Sequence, residues 1–133
     1  MFLYLLNEKE GRAFMELTIQ AMKLNGTKED CREEYATYVA ELDLADFEPA
    51  GLSFSEAAAA FDKSSVAVKR SIVIELCGIL YSDKEIDEKE MKWIYELSGI
   101  FGLSEAETGR LVRWSKDFSD FLEIGLMYIN AES

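Results

Sequence analysis

The sequence predicts an all-α fold, a compact single-domain bundle of about seven helices, and three observations carry that prediction. One proline, Pro49, and eight glycines in 133 residues are too few turn formers for strands at regular spacing. Apolar residues recur at intervals of three and four rather than two. Ser, Asn or Asp stands before most of these runs and Gly or Asn after several of them, where helices begin and end. A chain that is 49% hydrophobic fills one core at this length, so residues 1–133 are expected to form one domain.

The opening Met1–Leu6 is too apolar for a free terminus and is expected to dock on the core as a short turn or an arm. Asn7 reads as the N-cap of a first helix, with Glu8 and Glu10 placed to meet the positive end of its dipole. Phe14, Leu17, Ala21 and Leu24 form its inner face, and Asn25-Gly26 ends it. Thr27, with Asp30 three residues on, starts a second helix whose Tyr35, Tyr38, Val39 and Leu42 share one side. Residues 43–53, with the proline and a glycine, form the connection between two halves, about 7–44 and 64–103. Ser53 or Ser55 caps a short helix through Ala57 to Phe61. The helix from Val66 to about Tyr81 is apolar nearly all round, with Glu75 its only charge after Arg70, so it belongs at the centre of the bundle. Asp87 with Glu90 caps the next helix, Glu88 to Phe101, and Gly102 closes it. Ser104 with Glu107 opens another through Trp114, and Ser119 to Asn130 makes a last one.

A weak internal repeat underlies this order. Glu16-Leu17 falls on Glu75-Leu76, and Leu42-Asp43-Leu44 on Phe101-Gly102-Leu103, both at a shift of 59. Two helix-turn-helix halves with pseudo-twofold packing follow. Asp83-Lys84-Glu85-Ile86, then Glu90, then the run Leu97 to Glu107 (LSGIFGLSEAE) resembles the tellurite-resistance TerB-like family. That family pairs an apolar helix ending in Asp-Gly-x-Ile with a helix closing in a Phe-Gly-Leu-Ser phrase. The resemblance is best over Arg70 to Thr108 and weaker over Ala13 to Leu44. It implies a helical fold with internal pseudo-symmetry, in bacterial proteins tied to stress response, metal-related resistance and membrane-associated complexes. Lys84 stands where the family has glycine, which puts a positive charge beside the acidic turn.

Composition narrows the chemistry. A net charge of −12 disfavours nucleic acid and anionic lipid surfaces. Histidine is absent, which removes the commonest general base and metal ligand. Cys31 and Cys77 lack CxxC spacing, so neither zinc nor a disulfide framework is indicated. No segment reaches the roughly 18 apolar residues of a membrane span, and MFLYLL is short for a signal-peptide core. A cytoplasmic location without membrane insertion is the expectation.

Two residue groups are candidate sites. Asp83, Glu85, Asp87 and Glu90 gather the hard oxygens that calcium or magnesium prefers, but counting an EF-hand loop from Asp83 puts Glu88 at the glycine position and Ile94 at the glutamate position. Helix capping by Asp87 and Glu90 is the better account. Arg110, Arg113 and Lys116 form a basic stripe for an acidic partner or a second copy, against the alternative of pairing with Glu107 on a solvated face. Trp93 and Trp114 mark an interface if exposed and a core rim otherwise. The expected function is a non-catalytic interaction or scaffold module without a cofactor, binding a protein partner or another copy of itself. The alternative is a calcium- or magnesium-binding or sensing module using the turn 83–90.

Overall fold

Capping chemistry sets most of the helix boundaries. The computed structural model describes residues 1–25, 32–81 and 85–131. Among these, a 3-10 turn at Leu3–Leu5 is followed by α1 (Glu8–Asn25), α2 (Arg32–Glu41), α3 (Phe54–Ala59), α4 (Val66–Leu80), α5 (Glu88–Ile100) and α6 (Glu105–Asn130), with no strand. Asn7 Oδ1 accepts from the Glu10 amide at 2.8 Å while Glu10 returns to the Asn7 amide at 2.9 Å. Ser53 rather than Ser55 caps α3, in a reciprocal box with Glu56. Ser65 accepts from the Val68 amide at the head of α4. Each such cap contributes on the order of 1 kcal/mol.

The two C-terminal caps make the internal repeat visible. In α2 the Leu44 amide reaches back to Val39 and the Asp43 amide to Ala40; in α5 the Leu103 amide reaches Ser98 and the Gly102 amide Gly99. Both are Schellman closures, with the turning residue at φ 55 in Asp43 and φ 81 in Gly102. The matched residues therefore have matched conformations. The starting caps expected at Thr27 and Asp30 lie outside the described residues, as do Gly26, Cys31, Asp83 and Lys84.

α4 lies at the centre, against α1, α5, α6 and the N-terminal turn. Nine of its 15 residues are buried, which is why its apolar side chains cover most of its circumference. Leu3, Phe14, Leu17, Ile72, Leu76, Ile94 and Leu97 close the core around it, each almost fully removed from water. Burial of each large side chain stabilises the fold by roughly 1.5–3 kcal/mol. The expected docking of Met1–Leu6 is seen in Leu3.

Two expectations need adjusting. The last two helices are one, α6, running unbroken from Glu105 to Asn130. No glycine or proline separates Trp114 from Ser119, and Lys116 pairs with Asp120 across the expected break at 3.2 Å. Ser104 accepts from the Glu107 amide, but the Glu107 carboxylate turns to Arg70 instead of completing the box.

Buried carboxylates tie the halves together. Glu16 of α1 accepts three backbone N–H bonds from the connection, at 2.8 Å from Ala50, 3.1 Å from Gly51 and 3.0 Å from Leu52. Its repeat counterpart Glu75 accepts from the Phe2 amide at 2.8 Å. Each half thus uses a glutamate on its first helix to hold a segment outside the α-helices. Glu10 also takes the Ser64 hydroxyl at 2.5 Å, joining the head of α1 to the approach to α4.

Candidate functional site

The register of α6 on α4 determines the shape of the surface. Glu107 pairs with Arg70, Ser115 donates to the Ile74 carbonyl at 3.5 Å, and Tyr81 shares a surface with Phe118 and Ser119. The two helices run side by side in the same direction. α4 ends at Leu80, roughly level with Phe118 and Ser119 of α6, which line the same surface as Tyr81. At 1.5 Å per residue, about 15 Å of α6 extends beyond it.

This mismatch leaves an open groove of about 550 Å³. Ile74, Gly78 and Tyr81 of α4 form its floor, and Trp114, Phe118, Leu122 and Leu126 of α6 form one wall. Opposite stand Glu34 and Tyr38 of α2 with Phe2 of the N-terminal segment. Trp114 stacks on Phe118 at 5.4 Å between ring centres and meets Phe2 at 6.0 Å. The wall residues lie at i, i+4, i+8 and i+12, one stripe of one helix. Beyond the groove, Phe121, Met127, Tyr128 and Ile129 are exposed, Phe121 at 73% and Tyr128 at 80%. Scattered exposed hydrophobics are ordinary on a protein surface, but a contiguous run on one helix is not.

Among the described residues, the polar groups at the groove are carboxylates, the Tyr38 and Tyr81 phenols, the Ser115 and Ser119 hydroxyls and the Met1 ammonium. Tyr38 donates to the Glu75 carbonyl at 2.8 Å, and burial, then the Glu75 charge, pushes its phenol well above the usual tyrosine range. Glu75 and Glu41 hold the Met1 ammonium at 3.1 and 2.7 Å. Glu34 Oε2 is buried and accepts no hydrogen bond from the described residues.

The residues singled out from sequence are dispersed. Trp114, 42% exposed, belongs to the groove wall. Trp93 packs half-buried on Phe54 of α3, 5.6 Å between rings, as a core-rim residue. Arg110, Arg113 and Lys116 are all exposed. The expected partner of Arg110, Glu107, is taken by Arg70, and among the described residues no ion pair involves Arg110 or Arg113. Asp87 Oδ1 accepts from the Glu90 amide at 2.7 Å and Glu90 Oε1 from the Asp87 amide at 3.0 Å, as the capping account requires. Glu85 is exposed, and Asp83 lies outside the described residues. Among the described residues no group of three or more His, Cys, Asp or Glu side chains is placed to share a metal ion.

Sequence reasoning missed Glu34, Gly78, Phe118 and the groove they line. Two signals pointed there: a glycine inside the most apolar helix, and more apolar residues on α6 than one buried face can use.

No helix among the described residues is long and apolar enough to cross a membrane. No curated protein and no solved structure matches the chain. A family model, tellurite resistance protein TerB, matches residues 5–113, taking in α1 to α5 and ending one residue before Trp114. With most of its length inside that match and the all-helical repeat in place, the chain belongs to the TerB family.

Proposed function

We propose that this TerB domain is a non-catalytic docking module which takes a helical segment of a protein partner along the groove between α2, α4 and α6, and that it serves a cytoplasmic stress response of the tellurite- or metal-resistance kind. The observation that carries the reading is the continuous apolar stripe Trp114, Phe118, Leu122 and Leu126, exposed along a groove whose floor is an exposed glycine. A helix seated there would bury the stripe in the helix-in-groove manner. The absence of histidine and the capping duties of Asp87 and Glu90 support a binding role over an acid–base one.

Affinity capture from the native host with the wild-type chain and with Leu126→Glu tests it. A protein retained by the wild type and lost with Leu126→Glu supports groove docking. Identical captured sets for the two, with both chains folded by circular dichroism, would sink it.

A further inference from the structure

Resting on the docking reading above, we infer that the groove's occupant is a cationic amphipathic helix, with its apolar face on the α6 stripe and a Lys or Arg side chain reaching the Glu34 carboxylate of α2. The first argument is length. From Trp114 to Leu126 the stripe covers twelve residues of α6, about 18 Å, and Ile129 extends it to about 22 Å. That is three to four turns of a partner helix and longer than a compact small molecule requires.

The second argument is charge. Among the described residues, the ionisable side chains lining the groove are Glu34, Glu75 and Glu123 with Tyr38 and Tyr81, none of them Lys or Arg, and the one cation there is the Met1 ammonium. Glu41 stands beside them, and with Glu75 it already takes an ammonium, that of Met1, at 2.7 and 3.1 Å. Glu34 Oε2, buried and accepting no hydrogen bond from the described residues, is an acceptor that a charged N–H donor would satisfy. The Phe2, Trp114 and Phe118 rings add faces that attract cations.

The same charges disfavour the other occupants. A second copy offering residues 117–130 of its own α6, the part that carries most of the apolar stripe, would bring Asp117, Asp120 and Glu123 and no Lys or Arg against Glu34 and Glu75. An anionic lipid surface would meet a chain of net charge −12.

Gly78 provides a specific test. It is exposed on the groove floor, and a Cβ there meets only the Tyr38 hydroxyl, at 3.7 Å, so Gly78→Leu fills the groove without entering the core. Replacing a mid-helix glycine also favours the helix, so this variant should melt no lower than the wild type. Two fluorescein-labelled 18-residue synthetic helices serve as probes, both with a leucine face, one flanked by lysine and one by glutamate. Fluorescence anisotropy should give binding of the lysine helix to the full chain at least about tenfold tighter than of the glutamate helix, weakening as salt rises. Gly78→Leu should weaken it by about tenfold or more, and Glu34→Gln by several-fold.

Equal binding of both helices would overturn the charge assignment. Lysine-helix binding indifferent to Gly78→Leu would reduce it to general attraction by an acidic chain and overturn the inference. A concentration-dependent dimer in sedimentation that Gly78→Leu abolishes would make the occupant a second copy, also overturning it. If neither synthetic helix binds while Leu126→Glu still loses a captured protein, groove docking stands and the cationic class falls.

Discussion

Replacing Glu16 tests whether its buried carboxylate holds the connection at residues 50–52 against α1. Its Oε1 accepts from Gly51 and Leu52 and its Oε2 from Ala50, and the residue is only 5% exposed. Hydrogen bonds to a charged acceptor contribute about 1.5–3 kcal/mol each, but the amides of the exposed Ala50 and Gly51 regain water once released. Glu16→Ala should therefore cost about 2–4 kcal/mol. Glu16→Gln keeps an oxygen for Gly51 and Leu52 and sets its NH2 against the Ala50 N–H, so it should cost about 1–2 kcal/mol. Urea denaturation followed by circular dichroism gives both values, and hydrogen exchange at residues 50–52 should quicken before exchange in α4 does. If Glu16→Ala lies within about 0.5 kcal/mol of the wild type and those amides exchange unchanged, the carboxylate is not what holds the connection, and the reasoning fails.

The matched helix ends predict opposite outcomes: Gly102→Ala forces a Cβ into a φ 81 turn and should destabilise by about 1–2 kcal/mol, whereas Asp43→Gly at φ 55 should be neutral or gain up to about 1 kcal/mol in the same denaturation assay. Burial pushes the Cys77 thiol up to about 12, so in a Cys31→Ser chain a thiol reagent at pH 7.5 should label Cys77 no faster than the protein opens; fast labelling would refute the burial. Because the Tyr38 phenol is held neutral above its unfolded value, its contribution to stability is complete below about pH 10 and falls away as pH rises beyond that, and Tyr38→Phe should flatten this alkaline loss in urea titrations above that pH. Calcium or magnesium at millimolar concentration should leave the melting temperature unchanged if Asp87 and Glu90 only cap α5; a dose-dependent rise abolished by Asp83→Asn would favour the cation-binding alternative.

Much of the fold was legible in the sequence because helix ends are local. Asn7 with Glu10, Ser65 with Val68, and Asp87 with Glu90 satisfy orphan amides within three residues, so the pattern of side chains nearly fixes the bond. The Schellman turns at Asp43 and Gly102 obey the same rule, which is why the repeat in the letters reappears in the backbone. The apolar girth of α4 likewise foretold its central place. The continuity of α6 was harder to read, since Ser119 resembles a cap until Lys116 and Asp120 are seen to bridge it.

The groove was not legible, and neither were the partners of Glu16, Glu75 and Glu107. Each depends on which helix lies beside which and where the shorter one stops, a matter of register between segments up to 73 residues apart. The sequence by itself determined most of the helices, the caps at Asn7, Ser65 and Asp87, the inner face of α1 and the family to which the chain belongs. Only the tertiary structure decided that α4 ends while α6 continues, that Gly78 faces an open floor, and that the acids of α2 and α4 stand across from an apolar stripe. Local hydrogen bonds are encoded within a turn of the chain, whereas the depth and charge of a groove arise from side chains of several helices brought together by packing.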